Sequence, residues 1–491
     1  MNFLCKSIVM VSAMLFLGCS AKDKNASLHL QGEVKDEEDF AYKTFFLPRA
    51  IGSKRAYVGD CMPFYEDGVF YVYYLKDGGD SYNHSVFLAT TTDFVSWQEI
   101  EKPVLESSRT LAQDSWIGTG SVVKIDGEYL FFYTGHAASA SEYGEKIMAA
   151  KSDNLYSFEK IDGWSIAPDD SLGQKRDFRD PQAYLDEAAG RIILTVTACK
   201  DGKARILKYS MDKNLENISY DGIIFTDETA AVYNLECSDT FEMNGLYYLT
   251  YSAQDDTHFY AVSQTPYGAY SAPRRLDGKL FYAAKHTEKD GETYLVGWGR
   301  RSEEPTLTQE VKGWAGNIVA QKIVQRADGS LFLAPIDAVK SQFTTEQPTL
   351  FKNSSAKIFS KSERATKALF SATESFLLQG RVSFSKGGRF GLLFDCADED
   401  LSKFIAINPA ENTLSLFAEG GDLLITQTPI SLEKNREYAF SYVQEGSLGT
   451  FYIEGEGSLT VRVYGSCGYG VRFFAEDNTV SLKGVSLHTR E

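Results

Sequence analysis

Three acidic residues in this 491-residue sequence stand in apolar or rigid surroundings rather than in solvated turns. Asp60 follows Tyr-Val-Gly, Asp180 lies within Arg-Asp-Pro, and Glu236 lies within Leu-Glu-Cys. Each of them comes shortly before a copy of a repeated apolar strand. This shared position predicts that the three carboxylates converge at one place in the fold.

Converging carboxylates of this kind are suited to the cleavage of glycosidic bonds. That reaction needs one acid to protonate the departing oxygen and one carboxylate to attack, or to stabilise, the positively charged sugar carbon. A third carboxylate can orient substrate hydroxyls, with the neighbouring Arg179 holding its charge and geometry. We therefore take Asp60, Asp180 and Glu236 as candidate catalytic residues.

Further side chains are candidates for contact with a sugar. An aromatic ring near the mouth of such a site can stack on the apolar face of a sugar, although aromatic residues also fill strand cores. Cys237 directly follows Glu236, and as a buried thiol it would shape the acid site. The candidate substrate-contact residues are Arg179, Cys237, Trp116, Ser121, Tyr82 and Trp298.

Five copies of one motif organise the elements that must position these side chains. Each copy is a glycine followed by a near-continuous apolar and aromatic run, and the copies begin at Gly68, Gly127, Gly190, Gly245 and Gly291. Such runs are typical of strands covered on both faces. Their spacing of roughly 46 to 63 residues is typical of four-stranded propeller blades. The sequence predicts a five-bladed β-propeller over residues 40–338, with an unrelated series of hairpins as the alternative.

The pattern changes after Pro335. Residues 339–360 are rich in Ser, Thr, Lys and Gln, and short alternating strands such as 391–395 and 404–408 follow them. Many short strands at regular spacing are typical of a β-sandwich. We therefore predict an all-β fold, in which a five-bladed β-propeller precedes a C-terminal β-sandwich over residues 339–491.

Composition agrees with this fold class and limits the partners. The chain has 28 Tyr, 32 Phe and 40 Gly but only 12 Pro, a balance that favours strands and tight turns. Its formal charge of −17 argues against nucleic acid or anionic lipid surfaces as partners, because both favour Lys and Arg. An oligo- or polysaccharide substrate is the expected partner.

The amino terminus carries a pattern typical of an export signal. A lysine and a mostly apolar run over residues 8–17 are too short to span a bilayer and have the proportions of a signal peptide. The run ends in Phe-Leu-Gly-Cys19, which resembles a bacterial lipoprotein box. We expect a signal over 1–19, lipidation at Cys19, a tether over 20–39 and anchoring to the bacterial cell envelope, in the periplasm or at the cell surface. A cleaved signal with an incidental cysteine is the alternative.

The remaining cysteines and histidines indicate neither a disulfide framework nor a metal site. Five cysteines beyond Cys19 are widely scattered without a CxxC pair, and the six histidines have no ligand-like spacing. The sequence therefore predicts no metal and no cofactor.

At the three acids the chain resembles glycoside hydrolase family 32, the group of invertases, inulinases and levanases. Asp60 falls where this family carries its nucleophile. Arg-Asp180-Pro is similar to the family's Arg-Asp-Pro, whose Asp stabilises the transition state, and Glu236-Cys to its Glu-Cys, whose Glu is the acid/base. The segments 118–121 and 281–283 are similar to further family landmarks. The resemblance implies retaining hydrolysis of fructosides or fructans, of the sucrose, inulin or levan type, by a double displacement.

One segment departs from the family pattern. The family usually has Trp-x-Asn-Asp-Pro-Asn-Gly, whereas this chain has Tyr-Val-Gly-Asp-Cys-Met-Pro at 57–63. The acid is retained, but both asparagines are missing, and their amides would bind sugar hydroxyls. Two alternatives therefore stay open: a related five-bladed glycosidase acting on arabinosides or xylosides, and a non-catalytic carbohydrate-binding lipoprotein.

Overall fold

The computed structural model describes residues 40–490 apart from 79–83, 110, 138–143, 174, 229–231, 303–311, 371–372, 397–401 and 420–421. The lipidation candidate Cys19, the signal and the tether lie outside the described residues, and so does Tyr82. Among the described residues, no helix has the length and apolar character needed to cross a membrane.

Five antiparallel four-stranded blades follow one another along the first part of the chain. The first two consist of β1 (Tyr57–Glu66), β2 (Val69–Asp77), β3 (Val86–Thr91), β4 (Gln98–Leu105), β5 (Trp116–Ile125), β6 (Glu128–His136), β7 (Glu145–Ser152) and β8 (Glu159–Ile166). The third and fourth consist of β9 (Phe178–Asp186), β10 (Arg191–Lys200), β11 (Lys203–Asp212), β12 (Ser219–Thr226), β13 (Leu235–Met243), β14 (Leu246–Ala253), β15 (His258–Ser263) and β16 (Arg274–Arg275). The fifth consists of β17 (Phe281–Lys289), β18 (Glu292–Ser302), β19 (Lys312–Gln325) and β20 (Leu331–Ala334).

The repeated motif forms the second strand of each blade, namely β2, β6, β10, β14 and β18. Its glycine occupies the turn before that strand and always has a positive φ, between 64° and 96°. Glycine adopts this left-handed conformation without the steric cost that a Cβ atom brings. The second strands are buried from both sides, as expected for strands inside a blade stack.

The ring of blades is closed by direct strand pairing. β19 of the fifth blade pairs with β1 of the first blade, where Val58 lies opposite Gly316. Asn317 extends the seam, since its side-chain amide donates a hydrogen bond to the carbonyl oxygen of Phe45 at 3.0 Å. First and last blades therefore belong to one continuous sheet.

A short helix, α1 (Asp337–Ser341), separates the propeller from two further sheets. One contains β21 (Thr345–Gln347), β22 (Ala356–Phe359), β24 (Ser375–Phe384), β29 (Glu437–Glu445), β30 (Leu448–Ile453), β31 (Gly457–Arg462) and β33 (Thr479–Thr489). The other contains β23 (Ala365–Phe370), β25 (Phe390–Phe394), β26 (Lys403–Asn408), β27 (Thr413–Ala418), β28 (Leu423–Pro429) and β32 (Val471–Ala475). Their inner faces share one apolar core. The predicted fold class, a five-bladed propeller followed by a β-sandwich, is confirmed.

Polar contacts fasten the sandwich to the propeller. Asp277 lies just before the fifth blade and is fully buried, and its carboxylate accepts hydrogen bonds from the backbone and hydroxyl of Thr460 at 2.9 and 2.8 Å. Arg462 of β31 donates to the carbonyl oxygens of Gly299 and Arg300 at 3.0 Å each. Buried hydrogen bonds thus join the two parts at defined positions.

Candidate active site

A β-bulge lies near the start of the innermost strand in every blade. A bulge inserts one extra residue, bends the strand and re-aims the side chains around it. The pairing of each innermost strand with its neighbour shifts register at the same relative place: between Gly59 and Met62 in β1, Gly118 and Gly120 in β5, Arg179 and Gln182 in β9, Glu236 and Asp239 in β13, and Tyr282 and Lys285 in β17. The innermost strands of a propeller line its central channel. Side chains from all five blades are thus directed to one end of this channel.

Four of these bulges contain a non-glycine residue in the left-handed region. Asp60, Asp180, Cys237 and Ala283 have φ values of 40°, 57°, 51° and 49°. Such residues are uncommon and cost on the order of 1–3 kcal/mol each. Surrounding packing must therefore hold the strand entries in a conformation that they would not adopt alone.

Asp60 is held at the first bulge by two neighbours. The hydroxyl of Thr119 donates to its Oδ2 at 2.7 Å, and the indole N–H of Trp298 approaches its Oδ1 at 3.4 Å. Burial raises the pKa of Asp60, and the charge of Glu236 raises it further against the hydrogen bond from Thr119. The residue as a whole is half-buried.

Glu236 lies at the fourth bulge with 24% of its side chain exposed. One carboxylate oxygen accepts a hydrogen bond from Arg179 at 2.9 Å, and the other accepts one from the hydroxyl of Tyr282 at 2.5 Å. Arg179 is itself fixed by the carboxylates of Glu145 and Asp177, at 3.3 and 3.4 Å. These contacts orient Glu236 from both sides and leave it reachable by a ligand.

Asp180 lies at the third bulge and is almost fully buried. The backbone N–H of Cys237 donates to its Oδ2 at 2.7 Å, and its own N–H donates to the hydroxyl of Thr134 at 2.9 Å. Burial raises the pKa of Asp180 to about 7, with help from the charges of Glu236 and Asp60 and against that of Arg179. The structure therefore brings the three sequence-predicted carboxylates within electrostatic reach of one another.

The other sequence-predicted residues take different places around the carboxylates. Arg179 contacts Glu236 directly, and Trp298 is fully buried beside Asp60. Trp116 is partly exposed and meets the ring of His84 edge-on, with 4.8 Å between the ring centroids. Arg179 and Trp116 are thus the members of this group that a ligand can reach.

Ser121 and Cys237 serve the framework instead of presenting a group to a ligand. The buried hydroxyl of Ser121 donates to the carbonyl oxygen of Pro181 at 3.0 Å and accepts from the N–H of Ala183 at 2.8 Å. It joins the second blade to the third, which replaces the substrate contact expected from the sequence. The thiol of Cys237 is buried 3.6 Å from the hydroxyl of Thr119, and its backbone N–H holds Asp180.

Three functional neighbours escaped the sequence reasoning. Tyr282 and Thr119 bind the carboxylates of Glu236 and Asp60. Lys285 is a buried cation beneath the site, and its Nζ donates to the carbonyl oxygen of Gly120 at 2.9 Å and to the side chain of Gln182 at 3.0 Å. Tyr282 and Thr119 lie in the segments 281–283 and 118–121, which are similar to family landmarks. This similarity is the sequence feature from which the two residues could have been predicted.

The polar groups around the carboxylates include hydroxyls and an arginine. Within the described ranges, no group of three or more His, Cys, Asp or Glu side chains is placed to hold a metal ion. The five cysteines of the same ranges are free thiols, and all of them are buried. The arrangement instead offers acids, hydroxyls and aromatic rings, which are suited to acid–base and nucleophilic chemistry on a polar organic substrate.

Comparison with known proteins relates the chain to one hydrolase family. The sequence profile of the glycosyl hydrolases family 32 N-terminal domain matches residues 60–335. Sucrose-6-phosphate hydrolase of Escherichia coli is 24% identical over 291 residues, which are 54% of this chain and 59% of that protein. The chain therefore matches a little over half the length of this curated relative.

Solved structures share the whole two-part architecture. Sucrose-6-phosphate hydrolase from Lactobacillus gasseri superposes with a TM-score of 0.71 at 18% identity, covering 93% of this chain and 95% of that one. Fructan 1-exohydrolase IIa from Cichorium intybus gives a TM-score of 0.71 at 15% identity, covering 94% and 98%. At these identities the likeness establishes the fold.

Proposed function

The chain belongs to glycosyl hydrolases family 32, and from this premise we propose that it is a retaining glycoside hydrolase acting on fructosides or fructans. One observation carries the proposal: Asp60 and Glu236 lie at equivalent bulges near the starts of the innermost strands of two different blades, and the charge of Glu236 raises the pKa of Asp60. In retaining enzymes the two carboxyl groups lie about 5–5.5 Å apart, so that one can attack while the other protonates.

In the proposed first step, a carboxylate oxygen of Asp60 attacks the anomeric carbon. The bond from that carbon to the departing oxygen breaks, and Glu236 delivers a proton to this oxygen. A covalent glycosyl ester on Asp60 results. In the second step Glu236 removes a proton from water, the water oxygen attacks the anomeric carbon, and Asp60 departs as a carboxylate. The sugar is released with retained configuration.

The neighbouring groups support these roles. Arg179 and Tyr282 each hold one oxygen of Glu236, which fixes the direction of proton transfer. We infer that Asp180 forms a hydrogen bond with a substrate hydroxyl, and its pKa of about 7 would allow it to accept or to donate near neutral pH. We propose that it stabilises the transition state through such contacts.

The substrates proposed are sucrose, inulin or levan, and the segment around Asp60 governs the choice among sugars. A Cβ atom at Gly59 would lie 2.2 Å from the indole ring of Trp314, so this ring fills the space that a side chain there would need. Trp314 in turn stacks on His84, with 4.5 Å between ring centroids. Aromatic rings thus occupy the position at which the family's asparagine would present an amide to the sugar. For this reason the substrates to be tested also include arabinosides and xylosides.

The test uses Asp60→Asn and Glu236→Gln on a panel of sucrose, inulin, levan, arabinosides and xylosides. We expect hydrolysis of a fructoside by the natural protein and a loss on the order of 10³-fold in kcat for each variant, since each removes a group required in the transition state. Asp153→Asn, an exposed residue, is the matched control.

The stereochemical outcome provides an independent check. Proton NMR of the first-formed sugar is expected to reveal the retained anomer. Full activity of either variant would contradict the assigned roles, and an inverted product would favour the arabinoside- or xyloside-directed alternative. Binding without hydrolysis, unchanged by Glu236→Gln, would favour the non-catalytic carbohydrate-binding alternative.

We also propose that the protein is exported and anchored to the bacterial cell envelope through a lipid on Cys19. The support is the sequence alone, in which a charged and then apolar segment ends in Phe-Leu-Gly-Cys. A chain with Cys19→Ser is expected to move from the membrane fraction to the soluble fraction after cell lysis, and mass spectrometry is expected to find acyl chains only on the natural amino terminus. Unchanged fractionation would contradict the anchor.

A further inference from the structure

A cleft of about 510 Å³ lies between the third and fourth blades. Its walls include the far ends of β9 and β13, the two strands that carry Asp180 and Glu236 near their starts. Tyr184 and Thr240 each lie four residues beyond these acids, which corresponds to roughly 13 Å along an extended strand. The cleft therefore opens near the end of the channel that is opposite the active site.

Aromatic rings form one wall of the cleft. Tyr184 and Tyr267 stack almost parallel, with 5.5 Å between their centroids and 9° between their planes. The hydroxyl oxygen of Tyr184 is buried without a hydrogen-bond partner among the described residues. Tyr247 adds a third, partly exposed tyrosine to the lining. Such rings offer flat apolar faces next to polar hydroxyl groups.

This wall is held in place by its surroundings. Tyr267 has a positive φ of 57°, an uncommon conformation for a bulky residue. The ammonium group of Lys208 lies 4.9 Å from the centre of its ring and is paired with Asp221 at 3.3 Å. A cation over one face and Tyr184 against the ring fix Tyr267, so the wall exists before any ligand arrives.

Carboxylates form the polar part of the lining. Asp186, Glu187 and Glu242 line the cleft, and no Lys or Arg is among the described residues that line it. The nearby Lys208 packs against the ring of Tyr267 and is paired with Asp221. Asp186 accepts one backbone hydrogen bond from Ala189 at 2.9 Å, and Glu242 accepts one from Gly245 at 2.8 Å. Each carboxylate is thereby oriented through one oxygen and keeps acceptor capacity for a ligand hydroxyl.

Aromatic faces and oriented carboxylate acceptors, in a lining without Lys or Arg, together indicate the class of ligand. Sugar rings offer C–H faces for tyrosines and hydroxyl donors for carboxylates, whereas anionic ligands would be repelled by three acids. The volume falls within the range of roughly 300–1,000 Å³ that is usual for small-ligand sites. We propose that this cleft is a second carbohydrate-binding site, which holds a neutral oligosaccharide segment of the polymeric substrate away from the active site.

The identity of the sugar rests on the proposed function, but binding can be tested separately from hydrolysis. The full chain carrying Glu236→Gln is run through native gels that contain inulin, levan, arabinan or xylan, alone and combined with Tyr247→Ala or Glu242→Gln. We expect retardation by a neutral polysaccharide, and an apparent Kd at least ten-fold higher with either added substitution. Tyr220→Ala, an exposed tyrosine outside the cleft, is the control.

A second readout compares substrates of different length on otherwise natural protein. Tyr247→Ala is expected to raise KM at least several-fold for a long polymer and to leave sucrose hydrolysis within two-fold. The protein could hydrolyse no fructoside and still show retardation that depends on Tyr247. That result would support the second binding site and overturn the proposed function.

Three results would overturn the proposal of a second site. In the first, no neutral polysaccharide retards the protein, and in the second, Tyr247→Ala and Glu242→Gln leave the retardation unchanged. In the third, the cleft binds an oligolysine peptide and no sugar. The last result would assign the cleft to a cationic peptide.

Discussion

At the scale of single residues, the Asp180 carboxyl group has the most unusual environment of the three acids. It is buried beside two other carboxylates, and its compensation comes from Arg179 and from the backbone N–H of Cys237. The resulting pKa of about 7 lies far above its ordinary value of 3.8. Because a pKa that differs between the folded and unfolded states makes stability depend on pH, this residue has a measurable thermodynamic effect.

Asp180→Asn is expected to become more stable relative to the natural protein as the pH rises. Between pH 4 and pH 7 the folded state keeps the Asp180 proton and the unfolded state loses it, so the natural protein loses stability across that window. Asparagine keeps an oxygen acceptor for Cys237 and does not titrate. Each pKa unit corresponds to about 1.4 kcal/mol, so the difference between pH 4.5 and pH 8 can reach about 3 kcal/mol.

Thermal unfolding of both proteins at several pH values measures this effect. The exposed Asp153→Asn variant is the control for the loss of one carboxylate elsewhere in the protein. A constant difference for Asp180→Asn would contradict the raised pKa.

At the scale of elements, the bulged innermost strands position the carboxylates of the site, and close backbone contacts hold the ring of blades together. A Cβ atom at Gly316 would lie 1.8 Å from the carbonyl oxygen of Gly299, which is backbone and cannot rotate away. Gly316 also pairs with Val58 at the seam between the first and fifth blades. A side chain there would therefore push apart the strands that close the propeller.

Gly316→Ala is expected to destabilise the protein by more than about 2 kcal/mol, because the added methyl group has no room in a packed sheet. The corresponding fall in Tm, of at least about 2 °C for a chain of this length, can be followed by circular dichroism. Gly457→Ala is the matched control, since a Cβ atom there meets nothing within 4 Å and its φ is not in the left-handed region. Equal stability of the two variants would contradict the close contact at the seam.

At the scale of the whole molecule, the sandwich braces the blade that supplies Trp298 and Tyr282. Arg462 reaches across from β31 to carbonyl oxygens of the fifth blade and to the side chain of Asn317. The guanidinium group of Arg300 lies 4.8 Å from the ring of Tyr282 and 5.1 Å from that of Trp298. The interface thus extends to the residues that contact Glu236 and Asp60.

Arg462→Met is expected to cost about 3 kcal/mol or more, because it leaves several buried acceptors without a donor. In calorimetry we expect either a lower Tm or two separate unfolding transitions. We also expect a reduced kcat, since the fifth blade loses its contacts with the sandwich. Arg381→Met, on an arginine with 66% of its side chain exposed, should change stability by less than about 1 kcal/mol. A natural-like transition for Arg462→Met would show that the two parts are held by apolar packing instead.

The sequence by itself determined the fold class and singled out the three acids as candidate catalytic residues. Turn glycines such as Gly68 and the apolar strands after them express local conformational preferences, which need no distant contact to be recognised. Asp60, Asp180 and Glu236 could be found because a repeating unit carries equivalent positions to equivalent places. The repeat in the sequence was therefore enough to predict that these three residues lie close together.

Only the tertiary structure decided how the acids are held. Trp298 meets Asp60 across 238 residues, and Lys285 meets Gly120 across 165, so no local pattern connects these partners. Ser121 was expected at the substrate and instead joins two blades. These contacts depend on bulges and on ring closure, which set the distances between blades to within ångströms. Hydrogen bonds act only over such distances, and a one-dimensional pattern does not specify them.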